Sequence, residues 1–151
     1  MNIVLVEPEI PPNTGNISRL CAGVNATLHL VKPLGFEISD REVRRAGLDY
    51  WDKLKLIVWE NLEDFLTKNQ DKRLFFFSTK AKQLYTDIKY QPDDYLIFGK
   101  ETKGLPEELI FANPEHSATI PIDKNNVRSL NLSNSVAIVL YEALRQLEFS
   151  I

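Results

Sequence analysis

The stretch Ile3-Val-Leu-Val-Glu-Pro-Glu-Ile-Pro-Pro-Asn-Thr-Gly-Asn-Ile-Ser-Arg-Leu-Cys-Ala-Gly-Val24 changes its hydrophobic period part-way. Ile3–Val6 is continuously apolar, the pattern of a strand covered on both faces. Beyond a polar, proline-rich loop, Ile17, Leu20, Cys21 and Val24 recur at i, i+3, i+4 and i+7, one face of a helix. The same alternation continues along the chain. Strands are expected at Leu28–Val31, Leu56–Trp59, Leu74–Phe77, Tyr95–Phe98 and Ala118–Ile122. Helices are expected over Ser39–Arg45, over about ten residues containing Leu62, Phe65 and Leu66, after Pro106, and over Leu132–Leu147. Glu107 and Glu108 fall in the first turn of the helix that Pro106 opens, near its positive dipole end. The fold class is α/β: a mostly parallel sheet with helices on both faces, in a single domain spanning 1–151.

The 151 residues are 44% hydrophobic and 26% charged, an ordinary globular balance. No apolar run approaches the roughly 18 residues of a membrane helix. The first residues lack the basic n-region and apolar stretch of a signal peptide. Cys21 is the single cysteine, so no internal disulfide forms. His29 and His116 have no acidic or cysteine companions at ligand spacing, so no metal is expected. These features predict a cytoplasmic protein. A net charge of −3 gives no basic surplus of the kind that advertises a nucleic-acid partner. Basic residues do cluster, at Arg41, Arg44 and Arg45, at Lys80 and Lys82, at Lys100 and Lys103, and at Lys124 and Arg128.

The last helix carries the stripe Val136, Val139, Leu140, Ala143, Leu144 and Leu147, and Ala137, Ile138 and Tyr141 on its other side. A helix apolar all round must be covered all round. The sheet covers one face, and a second copy of the chain is the simplest cover for the other. A homodimer is expected.

Ligands of open α/β sheets bind beyond the carboxyl ends of the strands. Three loops at such ends carry more than turns require. In the first, Asn13 or Thr14 is a suitable N-cap. Arg19 lies opposite the apolar stripe, available either to a surface ion pair or to a cleft or partner subunit. The second, Phe98-Gly-Lys-Glu-Thr-Lys-Gly-Leu-Pro106, uses Gly99 and Gly104 for a sharp turn or a close approach. It matches neither a Walker loop nor a dinucleotide fingerprint. The third, Ile120 to Ala137, holds Ser129, Asn131, Ser133, Asn134 and Ser135 at a helix start. Asn131, Ser133 or Asn134 caps the helix, and the surplus suits a bound carboxylate or a polar cofactor edge.

Taken in order, Asn13-x-Gly-Asn-x-x-Arg19, Phe98-Gly-x-Glu-x-x-Gly-Leu-Pro106 and Ile120-Pro … Ser-Leu-Asn-Leu-Ser-Asn134 resemble the three motifs of the SPOUT methyltransferases. The match extends over essentially the whole chain, including Arg44-Arg-Ala-Gly-Leu-Asp-Tyr50, and is closest to the tRNA (cytidine/uridine-34-2′-O)-methyltransferase subgroup. That subgroup modifies the wobble nucleotide of leucine tRNAs. The resemblance implies a C-terminal trefoil knot, S-adenosyl-L-methionine as methyl donor, tRNA as substrate, and an active site at a dimer interface. It implies cofactor contacts at Phe77, Gly99, Ile120, Ser129 and Leu130, with Ser78, Glu101, Gly104 and Asn134 beside them. Arg19, Ser129 and Asn131 would serve catalysis, without metal. Asn13, Arg44 and Arg45 would meet RNA, with Tyr50 and Trp51 either stacking on bases or holding structure. Alternatives are a 2′-O-methyltransferase for another RNA position, a catalytically inactive knotted binding module, and a flavodoxin-like nucleotide binder, disfavoured by its missing phosphate loop.

Overall fold

The structure, a computed structural model, describes residues 1–39, 41, 45 and 48–151, with the side chains of 48 and 49 excepted. Its strands are β1 (Asn2–Val6), β2 (Thr27–Val31), β3 (Lys55–Trp59), β4 (Leu74–Phe77), β5 (Gln83–Leu84), β6 (Tyr95–Phe98) and β7 (Ser117–Thr119). The helices are α1 (Pro11–Gly23), α2 (Leu62–Lys68), α3 (Glu107–Ala112) and α4 (Leu132–Gln146), joined by short 3₁₀ segments. All seven strands are parallel, in the order β3-β2-β1-β6-β4-β7-β5. The late strand β6 enters between β1 and β4, and β7 between β4 and β5, slots whose walls were laid earlier in the chain.

Strand period two sorts the core onto the two faces. Ile3, Leu5, Leu28, Leu30, Phe75, Phe77, Leu96 and Phe98 pack with Ile17 and Cys21 of α1 and Val136, Val139 and Leu140 of α4. Val4, Val6, Val31, Phe76 and Ile97 pack on the other side with Phe65 of α2 and Ile110 of α3. The expected doubly covered sheet is therefore present. Its edge is not continuously buried: among the described residues, Ile57 and Val58 of β3 are 43% and 38% exposed.

Other boundaries differ from the sequence reading for identifiable reasons. The last strand stops at Thr119, because Pro121 has no N–H for a ladder. The helix after Asn61 has seven residues, capped by the Asn61 side chain accepting from the Asp64 N–H. The two-residue β5 has no signature in the hydrophobic pattern. The helix expected over Ser39–Arg45 falls mostly outside the described residues. No helix among the described residues is long and apolar enough to cross a membrane.

His29 is a core residue. It is buried on β2, and the Trp59 indole N–H donates to its Nδ1 at 3.0 Å. Nε2 therefore carries the proton, donated to Asn2 Oδ1 at 3.1 Å. Both ring nitrogens are used in the neutral form, and burial pushes the pKa down from 6.5 to about 4. Below pH 6.5 the unfolded chain binds a proton that the folded chain refuses. The resulting stabilisation is full above pH 6.5 and is lost as pH falls towards 4, a difference of about 3 kcal/mol. Urea unfolding at pH 7 and pH 4.5 should show this loss in the wild type and a flatter dependence in His29→Gln. Equal losses in both proteins would contradict the assignment.

Candidate active site

The carboxyl ends of β1, β6, β4 and β7 open into a cavity of about 930 Å³. Its walls come from Val6 and Glu7, Phe77 to Lys80, Phe98 to Glu107, Thr119, Ile120 and Ile122, and Arg128 to Leu132. The three motif loops thus meet at one place, as parallel strands dictate.

Helix α1 begins unusually. Its N-cap is Ile10, not Asn13 or Thr14, which lie buried within the first turn. Pro11 and Pro12 supply no N–H, and no local side chain caps the helix. The cap comes instead from the second loop. Glu101 Oε2 accepts from the Glu9 N–H at 2.8 Å, and Oε1 from the Ile10 N–H at 3.0 Å. A carboxylate at a helix N-terminus is favoured by the helix dipole and by charge-assisted hydrogen bonds.

From Glu101 the connection continues inward. Asn13 Nδ2 donates to Glu101 Oε1 at 3.3 Å, and Asn131 Nδ2 donates to Asn13 Oδ1 at 3.0 Å. Asn131 Oδ1 in turn accepts from the Asn134 N–H at 3.2 Å, capping α4 as the sequence suggested. One polar chain therefore ties all three motifs together. Two further links brace it: Lys100 Nζ to Glu7 Oε2 at 2.8 Å, and Thr102 Oγ1 donating to Glu9 Oε1 at 2.7 Å. Glu7 leaves β1 with φ 53°, a conformation costly for a residue with a side chain.

The two glycines of the second loop have distinct duties. A Cβ on Gly99 would stand 2.1 Å from the Gly104 carbonyl carbon, so the returning loop occupies its side-chain space. Gly104 adopts φ +67° and donates its N–H to the Lys100 carbonyl at 2.9 Å, closing the turn. This is a close approach of backbone to backbone.

Of the residues expected at the cofactor, Phe77, Ser78, Gly99, Glu101, Gly104, Ile120, Ser129 and Leu130 line the cavity. Asn134 does not; its N–H serves the α4 cap. Asn13 and Asn131 also line it, with amides engaged as described. Ser129 reaches the cavity with a hydroxyl that has no hydrogen-bond partner among the described residues. Arg19 does not line the cavity. It is exposed on α1, its guanidinium carbon 5.1 Å from the Tyr50 ring centre. Arg45 is exposed and away from the cavity, and Arg44 lies outside the described residues. In the sequence, Lys80, Lys103 and Arg128 stand only in basic clusters. All three line the cavity, with Lys80 paired to Glu107. Among the described residues no group of acidic, histidine and cysteine side chains is arranged to hold a metal.

The cavity's chemistry suits a ligand with an apolar or aromatic part and polar or charged edges, since Lys80, Lys103, Glu107 and Arg128 line it beside the apolar groups. Phe77, Ile120, Ile122 and Leu130 give apolar walls, and Ser78, Thr119 and Ser129 give small hydroxyls beside strand-end backbone. An adenosine-containing cofactor fits this donor set.

Residues 1–141 match the family model described as SpoU rRNA Methylase. The chain belongs to the SpoU methylase family. Members similar to it along nearly their whole length include the tRNA (cytidine(34)-2′-O)-methyltransferase of Methylovorus glucosotrophus, 50% identical over 99% of this chain and 97% of that one. The enzyme of the same description from Escherichia coli (strain K12) is 47% identical over 99% and 95%. A solved structure described as giving insights into the 2-OH methylation of C/U34 on tRNA superposes with a TM-score of 0.91. It is 40% identical and covers 97% of this chain and 95% of that chain. An AdoMet-bound rRNA methyltransferase from Sinorhizobium meliloti superposes at 0.86 with 27% identity, over 97% of this chain and 56% of that one. The chain is accordingly an enzyme, a methyltransferase with the SPOUT fold.

Glu101→Ala removes the acceptor for two backbone N–H groups and one amide at once. It should destabilise the protein by about 2–3 kcal/mol, the scale for hydrogen bonds to a charged group. Denaturant titration measures the loss, and hydrogen exchange should localise it to the Glu9 and Ile10 amides. Unchanged exchange at those amides would show that Glu101 is not the cap.

Proposed function

We propose that the enzyme transfers the methyl group of S-adenosyl-L-methionine to the ribose 2′-hydroxyl of the wobble nucleotide, position 34, of leucine tRNAs. The observation that carries this reading is the convergence of three motif loops on one cavity, in a chain of which curated tRNA (cytidine(34)-2′-O)-methyltransferases cover nearly all. The leucine acceptors follow from the motif resemblance to that subgroup. The substrate makes the cytoplasm the working compartment.

Phe77, Ser78, Gly99, Ile120, Ser129 and Leu130 would hold the cofactor, which supplies an electrophilic methyl group. Ser129 orients cofactor and ribose through its available hydroxyl, and Asn131 acts by holding the third loop in register. Asn13, buried and bonded through both its amide nitrogen and its amide oxygen, serves as the link between loops. Arg44 and Arg45 bind the tRNA backbone. Arg19 grips the phosphate beside the target ribose and stabilises the charge that develops on the 2′-oxygen. It does so as a cation, since a guanidinium is effectively never deprotonated in proteins. The insertion of β6 and β7 between earlier strands supports a knotted C-terminal segment.

The working form is a homodimer. Ile138 is half-buried and Tyr141 is 46% exposed on the far side of α4, a face left incompletely covered by one chain. Arg19 lies outside the cavity of its own chain. In a dimer it acts on the partner's cavity, so each site takes its cofactor loops from one subunit and its arginine from the other.

Mixed dimers test both the chemistry and the sharing. Arg19→Ala should lower single-turnover ribose methylation of tRNA by roughly 10²–10³-fold, the scale for one preorganised donor. Ser129→Trp, which fills the cavity, should abolish cofactor binding. A heterodimer of the two regains one intact site and with it methylation, mapped to nucleotide 34. Inactive heterodimers would contradict sharing, and methylation mapped elsewhere would contradict the substrate assignment.

A further inference from the structure

The 3₁₀ segment Leu48–Lys53 packs against α1, and it brings the Tyr50 ring to 5.1 Å from the Arg19 guanidinium carbon. That separation lies within the roughly 6 Å over which an aromatic face attracts a cation. Among the described residues no carboxylate lies within ion-pair distance of Arg19. Among the described residues, the contact with Tyr50 is what holds the outer end of a long, exposed side chain.

The type of contact matters. A carboxylate partner would occupy the in-plane N–H donors of the guanidinium and offset its charge. A ring face attracts the charge and leaves those donors available. An arginine that must meet a phosphate or a developing alkoxide needs its direction fixed and its donors unspent. Arginine also has a large rotamer entropy, and ordering it before the reaction moves that cost out of the barrier.

We propose that Tyr50 is a positioning residue: its ring holds Arg19 pointed outward, charged and with free donors, for the methyl transfer. The proposal rests on the reading of Arg19 as the residue that stabilises the transferred charge. In the sequence, Tyr50 has two other readings, as a base-stacking residue or as part of the structure, and the experiment separates all three.

Single-turnover rates are measured at saturating tRNA and cofactor for the wild type, Y50F, Y50L, R19A and the double variant Y50L/R19A, with dissociation constants for both ligands. Y50L should lose roughly tenfold in rate with both dissociation constants unchanged, and Y50F should stay within about twofold. Adding Y50L to R19A should cost nothing further, because the ring acts through the arginine. A base-stacking role would instead weaken tRNA binding at unchanged rate, and that result overturns the proposal. So does a further loss in the double variant, or a wild-type rate in Y50L while R19A is impaired. A wild-type rate in R19A overturns the Arg19 assignment itself, a separate failure. If Y50L does not fold, phenylalanines of increasing ring fluorination at position 50 keep the shape and weaken the attraction. A stepwise fall in rate supports the proposal, and a flat series overturns it.

Discussion

The carboxylate of Glu101 is the constraint on which the rest of the site depends. Helix α1 starts with two prolines and an uncapped isoleucine, so its N-terminus cannot be finished locally. Completing it requires the loop after β6, some ninety residues away in sequence, to stand against the loop after β1. Once there, Glu101 also orients Asn13, and Asn13 orients Asn131, which caps α4. A non-local cap thus fixes three loops with one chain of hydrogen bonds. Gly99 is forced by the same arrangement, since the second loop must fold back over its own start.

The sheet explains why that chain surrounds a cavity. Strand β1 is neighboured by β2 on one side and by the late-arriving β6 on the other. All strands point the same way, so every loop that matters emerges on one edge. The hydrophobic faces beneath are separate, with α1 and α4 on one side and α2 and α3 on the other. The core therefore holds the loops, and through Phe77 and Phe98 it also forms part of the cavity wall. Arg19 is the exception to the convergence. It projects from α1 away from its own cavity and towards Tyr50, which is why the proposed enzyme needs a second subunit.

Much of this was legible in the sequence. The alternation of runs such as Ile3–Val6 and Phe75–Phe77 with helical stripes gave the doubly covered parallel sheet, because those residues must be buried on both sides. The motif loops could be placed at strand ends for the same reason. The α1 cap was not legible: Asn13 has the right chemistry for a local cap, and only the fold reveals that Glu101 has taken the position. The sequence did hold a hint in Pro11-Pro12, which removes the donors a local cap would serve. The short β5 and the early end of β7 leave no pattern because two or three residues carry no period, and Pro121 is the stop signal beyond β7. The contact of Tyr50 with Arg19 joins a 3₁₀ segment to a helix across distant sequence, and no spacing rule reaches it.

The most direct test of the account is a crystal structure of the protein with S-adenosylhomocysteine, the product of methyl donation. The account predicts the ligand in the cavity at the ends of β1, β6, β4 and β7. Its adenosine should lie against Phe77, Ile120 and Leu130, its polar edge near Ser129, and the Glu101–Asn13–Asn131 chain should be unchanged. A ligand bound elsewhere, or one that enters only by breaking that chain, would contradict it.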